Sequence, residues 1–249
     1  MKLISHRGFS SRAPENTIAS FEESIKNDFR IMEFDVQLSK DNVPVIFHDA
    51  HLERTTNIQG NLKDFTIDEL KKIDAGSWFN DTFSGEQIPT LDEVLTKYSN
   101  SVHFQIELKS NENNLAEIVL DSIKKTGWAE NYSNKPYSIP GFSLTSFHYK
   151  QVIMAKKLAP EFNAGWLIGS QSNTPKNILE SILENNINMY IPNVNSDFWK
   201  KGNLKDLLEE NNITICAWGA QVFSDVKKML KAGATAMTVD WPDEVVKFI

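Results

Sequence analysis

Two rhythms of apolar and polar positions alternate along this chain. Short apolar runs bounded by polar or turn-forming residues occur at Lys2–Ser5, Ile31–Leu38 with Val43–His48, Val102–Leu108, Ser138–Leu144, Asn163–Ile168, Asn188–Pro192, Ile213–Trp218 and Ala236–Val239. Such runs read as strands. Between them apolar residues recur three and four apart: Ile18, Phe21 and Ile25; Leu115, Ile118, Val119 and Ile123 with Ser122; Leu204, Leu207 and Leu208; Val226, Met229 and Leu230. That spacing puts each set on one face of a helix, where packing against a sheet is the plain explanation. Strands and helices in this order predict successive βα units around a parallel sheet of about eight strands. Gly127, Gly165 and Gly233 are expected to end helices or turn the chain.

The rhythm breaks between Ala50 and Gln87. This stretch holds NIQGN, a short helical piece around Ile67–Ile73 and the aromatic DAGSWFNDTF. It reads as an insertion of residues 50–87 within a single unit spanning 1–249, since a chain of this length can form one barrel-sized domain. An insertion at the C-terminal rim of a barrel strand is expected to form a lid or wall. Packing within the insertion is the reading preferred for Trp78, Phe79 and Phe83.

Two strands carry charge where a buried sheet should reject it. In Ile31–Leu38, Phe34, Val36 and Leu38 share one face while Glu33, Asp35 and Gln37 share the other. In Val102–Lys109 the apolar face is Val102, Phe104, Ile106 and Leu108, and the polar face is His103, Gln105, Glu107 and Lys109. If the sheet closes into a barrel, the polar faces line the interior near the catalytic rim and Glu33, Asp35 and Glu107 converge. Carboxylates crowded together away from water neutralise by binding protons unless a cation holds them. Oxygen ligands alone suit a hard divalent ion, Ca²⁺ or Mg²⁺, over Zn²⁺. The same spacing also fits an exposed sheet edge, or pairing with Arg30 or Lys40.

Two histidines bear on that choice. His6 closes the first strand run and His48 closes V43-PVIFH, both where barrel strands end, so they suit paired acid and base chemistry. Arg7 and Lys109 add positive charge suited to phosphate oxygens. Asp49 is expected to turn away from His48 if the strand continues, and Asn16 and Thr17 to begin a helix. His51, His103 and His148 read as structural or surface residues, although His103 shares the inward face of Glu107.

Composition narrows the partners. The net charge of −7, without a Lys/Arg cluster, argues against nucleic acid. The lone Cys216 allows no intrachain disulfide and reads as a small core residue. No apolar run is long enough for a signal-peptide core or a membrane span, so no stable membrane anchor and a cytoplasmic location are expected. The sequence leaves the oligomeric state open.

Taken together and in order, HRG (His6–Gly8), PENT (Pro14–Thr17), EFDVQLSKDNVPVIFHD (Glu33–Asp49), LERTT (Leu52–Thr56), GEQIPTLDEVL (Gly85–Leu95) and IELK (Ile106–Lys109) resemble the glycerophosphodiester phosphodiesterase family. The second half is similar more loosely, through TSF (Thr145–Phe147), AWG (Ala217–Gly219) and VDWPD (Val239–Asp243). The resemblance implies a TIM (β/α)8 barrel with a small insertion after the second barrel strand. It implies hydrolysis of a small-molecule glycerophosphodiester to glycerol 3-phosphate and an alcohol. It further implies metal ligation by Glu33, Asp35 and Glu107, with one divalent cation, Ca²⁺ or Mg²⁺ and Mn²⁺ as a further option. His6 and His48 match the acid and base pair, and Arg7 and Lys109 the phosphate-binding cations. Asp41-Asn42 replaces the family's frequent Asp-Gly, and asparagine tolerates the left-handed turn required there. Gly219-Ala220-Gln221 and TVDWP also depart from the usual pattern, which bears on the wall that meets the alcohol. Two alternatives are a lysophospholipase D or phospholipase C-like lipid phosphodiesterase and a noncatalytic binding barrel. The first needs an apolar or basic docking surface that the acidic sequence does not offer, and the second would not need both histidines and all three carboxylates.

Overall fold

The computed structural model describes residues 1–169, 175–200 and 202–249. Among them nine strands form one sheet: β1 (Lys2–His6), β2 (Ile31–Leu38), β3 (Pro44–Ile46), β4 (His103–Leu108), β5 (Gly141–Ser146), β6 (Ala164–Ile168), β7 (Met189–Pro192), β8 (Thr214–Ala217) and β9 (Ala236–Val239). All but β3 run parallel, and β1 pairs with both β9 and β2, which closes eight strands into a barrel. β3 is no barrel strand: it lies antiparallel on the end of β2, with Val36 opposite Ile46. The helices are α1 (Ile18–Lys26), α2 (Ile67–Leu70), α3 (Leu91–Lys97), α4 (Leu115–Lys125), α5 (Tyr149–Leu158), α6 (Pro175–Glu184), α7 (Gly202–Glu210), α8 (Phe223–Ala232) and α9 (Pro242–Val245). Apart from α2, which belongs to the insertion, they alternate with the strands as in a TIM (β/α)8 barrel.

The outward strand faces make the core that the alternation predicted. Phe34, Val36 and Leu38 of β2 and Phe104, Ile106 and Leu108 of β4 pack against Phe21 of α1, Leu91, Val94 and Leu95 of α3, and Leu115, Val119 and Ile123 of α4. Phe104 is fully buried and sits within aromatic-contact range of Phe21, Phe34, Tyr98 and Trp128. Thr17 caps α1 by accepting the Ser20 amide, so the helix begins where the sequence suggested. Gly127 and Gly233 take left-handed conformations directly after the ends of α4 and α8, and Asn42 turns the chain at φ 60°.

Several expectations are corrected. Gly165 turns nothing: it lies in β6, where a Cβ would come within 3.0 Å of Ile191 and Met189, so its role is close packing inside the barrel. Leu207 faces solvent at 38% exposure, and α7 packs through Leu204 and Leu208. The strand expected from Ser138 starts at Gly141, because Pro140 has no amide to give to a ladder. The strand expected to reach His48 stops at Ile46.

Residues 50–87 build a small core of their own, in which Leu52, Leu62, Leu70, Ile73 and Ala75 pack with Val45, Phe47 and Ile88. Trp78, Phe79 and Phe83 meet edge to face with centroids 5.7 Å apart, which is packing within the insertion.

Candidate active site

Strand register assembles the acidic group. β1 and β2 place His6 beside Glu33, and β2 and β4 place Asp35 beside Glu107. Glu33, Asp35 and Glu107 are all buried, and a carboxylate oxygen from each lies within 4.8 Å of the other two. The exposed-edge reading is thereby excluded, and Arg30 pairs with Asp28 on the surface instead.

Two cations sit against these anions. Lys109 Nζ is 2.8 Å from Glu107 Oε1 and 3.2 Å from Asp35 Oδ1. Arg7 Nε is 3.3 Å from Asp35 Oδ2, and the Arg7 amide donates to Glu33 Oε2 at 3.2 Å. Burial alone would raise the Asp35 carboxyl, but Lys109 and Arg7 outweigh it, aided by the Asn16 side-chain amide at 2.9 Å, and hold it well below its ordinary value. The other two carboxyls are less compensated. Burial, and then repulsion from Asp35, push Glu107 up to about 7 and Glu33 well above its ordinary value. Glu33 Oε1 is buried with no hydrogen-bond partner. Three acidic groups that cannot all carry charge, one with an orphaned oxygen, form a ligand set suited to a hard cation.

The chain turns sharply after β1. Arg7 takes φ 55° and Gly8 φ 80°, and a Cβ on Gly8 would fall 2.3 Å from Ser20 Oγ, so this turn against α1 requires glycine. It leaves His6 at the strand end with Nδ1 2.6 Å from Asp240 Oδ1. His48 Nδ1 lies 2.5 Å from Asp49 Oδ1. Asp49 is thus a direct partner of His48, contrary to the expectation, because β3 has ended and strand alternation no longer applies. Burial pushes His48 below its ordinary value. In both histidines the carboxylate engages Nδ1, which favours the tautomer with Nε2 free to exchange a proton.

A cavity of about 240 Å³ opens over these groups. Its lining includes the polar residues His6, Arg7, Glu33, His48, Glu107 and Lys109 together with Phe147, Leu167, Trp218, Gly219, Ala220 and Gln221. The structure therefore brings every predicted site residue together, with Asp35 just beneath. Among the described residues none from 50–87 lines this cavity. His103 is structural: it is buried and bonded to the Ser138 carbonyl and the Ser143 hydroxyl. His51 and His148 lie outside the cavity lining.

Sequence reasoning missed Asp240 and Glu15, which hold His6 and Arg7, and the contact of Asn16 with Asp35. The only signal available for the two carboxylates is their place in the PENT and VDWPD segments, each of which carries one of them.

Comparison with known proteins decides the family. The model of the Glycerophosphoryl diester phosphodiesterase family matches residues 6–244. The chain belongs to this family. The Bacillus subtilis protein YhdW is 32% identical over 99% of this chain and 97% of its own length. A glycerophosphodiester phosphodiesterase of Caldanaerobacter subterraneus subsp. tengcongensis is 30% identical over the same shares of the two chains. Among solved structures, an Oleispira antarctica phosphodiesterase in complex with the product sn-glycerol-3-phosphate superposes with a TM-score of 0.84 at 28% identity, covering 99% of this chain and 96% of its own. No described helix is long and apolar enough to cross a membrane.

Proposed function

We propose that this chain is a metal-dependent glycerophosphodiester phosphodiesterase that releases glycerol 3-phosphate and an alcohol by paired-histidine acid and base catalysis. Residues 1–249 act as one barrel unit in this reading, with 50–87 inserted. The observation that carries it is the buried acidic group. Glu33, Asp35 and Glu107 converge at the C-terminal rim of the barrel, and Glu33 Oε1 has no partner there. That the Oleispira relative was solved in complex with sn-glycerol-3-phosphate supports a ligand of this chemical class.

Glu33, Asp35 and Glu107 would hold Ca²⁺ or Mg²⁺, with Mn²⁺ equally compatible with oxygen donors. Such an ion supplies charge neutralisation for a phosphate oxygen in the transition state. The remaining work falls to the chain. Arg7 and Lys109 take further phosphate oxygens, giving up part of their present contact with the carboxylates. One of His6 and His48 removes the proton from the attacking hydroxyl through Nε2, and the other returns a proton to the leaving alkoxide. Asp240 and Asp49 fix the two imidazole planes and stabilise each ring when it is protonated. Attack by water leaves solvent oxygen in the first product, whereas attack by the neighbouring glycerol hydroxyl gives a label-free cyclic ester, which reaction in ¹⁸O-labelled water distinguishes.

The test is release of glycerol 3-phosphate from glycerophosphocholine and related diesters, with and without EDTA. Activity abolished by the chelator and restored by a divalent cation supports the reading. No metal-dependent release from any glycerophosphodiester overturns it.

A further inference from the structure

The LERTT segment, Leu52–Thr56, enters no step above, and it lies in the insertion away from the cavity lining. It is nevertheless tied to the site. Leu52 is fully buried in the insertion's own core. The Thr56 hydroxyl donates to the Leu52 carbonyl at 2.8 Å and accepts the Ile58 amide at 3.1 Å. Glu53 accepts the Gly60 amide at 3.0 Å. These bonds lock the turn and with it the direction in which Arg54 leaves.

Arg54 reaches two carboxylates at once. Its Nη1 and Nη2 each donate at 2.7 Å to the two oxygens of Glu15, and its Nε donates at 2.5 Å to Asp49 Oδ2. These are the carboxylates that face the working groups: Asp49 engages His48 Nδ1, and Glu15 Oε1 accepts Arg7 Nη1 at 2.7 Å. The result is a chain of alternating charge running Asp49, Arg54, Glu15, Arg7, Asp35, Lys109, Glu107. We propose that Arg54 is a positioning residue: one guanidinium from the insertion fixes two carboxylates, and through them the orientation of His48 and of Arg7.

This rests on the roles given above to His48 and Arg7. Two features set it apart from simple anchoring of the insertion. The Arg54 side chain is 44% exposed, so solvent screens its ion pairs, and a role limited to anchoring would show as a modest loss of Tm with no loss of rate. The fork geometry, with two parallel bonds to Glu15 and a third to Asp49, is one that lysine cannot reproduce. Without Arg54, Glu15 pulls on Arg7 alone and the Asp49 carboxylate loses one of the two partners that hold its plane.

The experiment is steady-state kinetics on glycerophosphocholine with the full-length, cation-loaded protein. It compares Arg54→Gln, Arg54→Lys, Arg54→Ala, Asp49→Asn and the double variant Arg54→Gln/Asp49→Asn. Arg54→Gln is expected to lower kcat/KM by about ten- to a hundredfold, the cost of a misplaced reacting group, with cation affinity unchanged and only a small fall in Tm. Arg54→Lys recovers only part of the rate, and guanidinium ion, but not sodium chloride, partly rescues Arg54→Ala. The kcat loss caused by Arg54→Gln shrinks in the Asp49→Asn background, because both changes act through the same imidazole. Near-normal kinetics of Arg54→Gln, a loss confined to Tm, or fully multiplicative effects would overturn the proposal while leaving the hydrolase reading intact. A wild-type protein that turns over no glycerophosphodiester would overturn both.

Discussion

Removing one charge from the acidic group should make the metal-free protein more stable and the metal-loaded one less so. The informative substitution is Glu107→Gln, which keeps shape and an acceptor for Lys109 while Lys109 retains Asp35 at 3.2 Å. In the absence of cation, burial and Asp35 raise the Glu107 carboxyl to about 7, so the folded state holds this proton more tightly than the unfolded chain. The stability that follows is complete below the unfolded value near 4.5, falls as pH rises, and is fully lost above about 7. At ~1.36 kcal/mol per pH unit the gap amounts to roughly 3 kcal/mol. For a chain of this size that corresponds to about 6–12 °C in Tm. At pH 8 in EDTA, calorimetry should therefore show Glu107→Gln melting above wild type. Added Ca²⁺ or Mg²⁺ should reverse the order, since a thousandfold excess over Kd stabilises the wild type by about 4.1 kcal/mol and the variant far less. A variant no more stable than wild type in EDTA, or a wild type unmoved by either cation, would refute the reasoning.

Three further outcomes are expected. His48→Ala should lose about 10²–10⁴-fold in kcat yet bind the cation with unchanged affinity by titration calorimetry; a near-normal rate would remove His48 from the mechanism. His103 is buried and held down to about 4 by desolvation, so the unfolded chain binds its proton first. Wild-type stability should fall by roughly 3 kcal/mol between pH 6.5 and 4 on this account, and urea midpoints of His103→Gln should lack that share of the decline. Phe104→Ala empties the centre of the aromatic cluster on the β4 face and should cost about 3–5 kcal/mol by denaturant unfolding, while a cost below about 1 kcal/mol would mean that the outer core is organised differently.

Local periodicity carries most of the fold and half of the site. Side-chain alternation in β2 and β4 is a property of neighbouring residues, so it is enough by itself to set Glu33, Asp35 and Glu107 opposite the apolar face, and closure of the barrel makes that face the interior. The same rule fails one residue past its range. Alternation turns Asp49 from His48 only if the strand runs on beyond Ile46, and it does not. Long-range partners leave no periodic signal: Asp240 lies 234 residues from His6, and only closure of β9 against β1 brings them together. Arg54 and Glu15 sit in turns, where hydrogen bonds rather than alternation set direction. Gly165 shows the same limit, since its need for space arises from Ile191 and Met189 on the adjacent strand.

The most direct measurement is an anomalous difference map from a crystal of this protein soaked with Mn²⁺. The account predicts one strong peak per chain, coordinated by oxygens of Glu33, Asp35 and Glu107 and absent in Glu33→Gln/Asp35→Asn. Full soaking with no peak there, or a peak held by other residues while the enzyme is active, would contradict it.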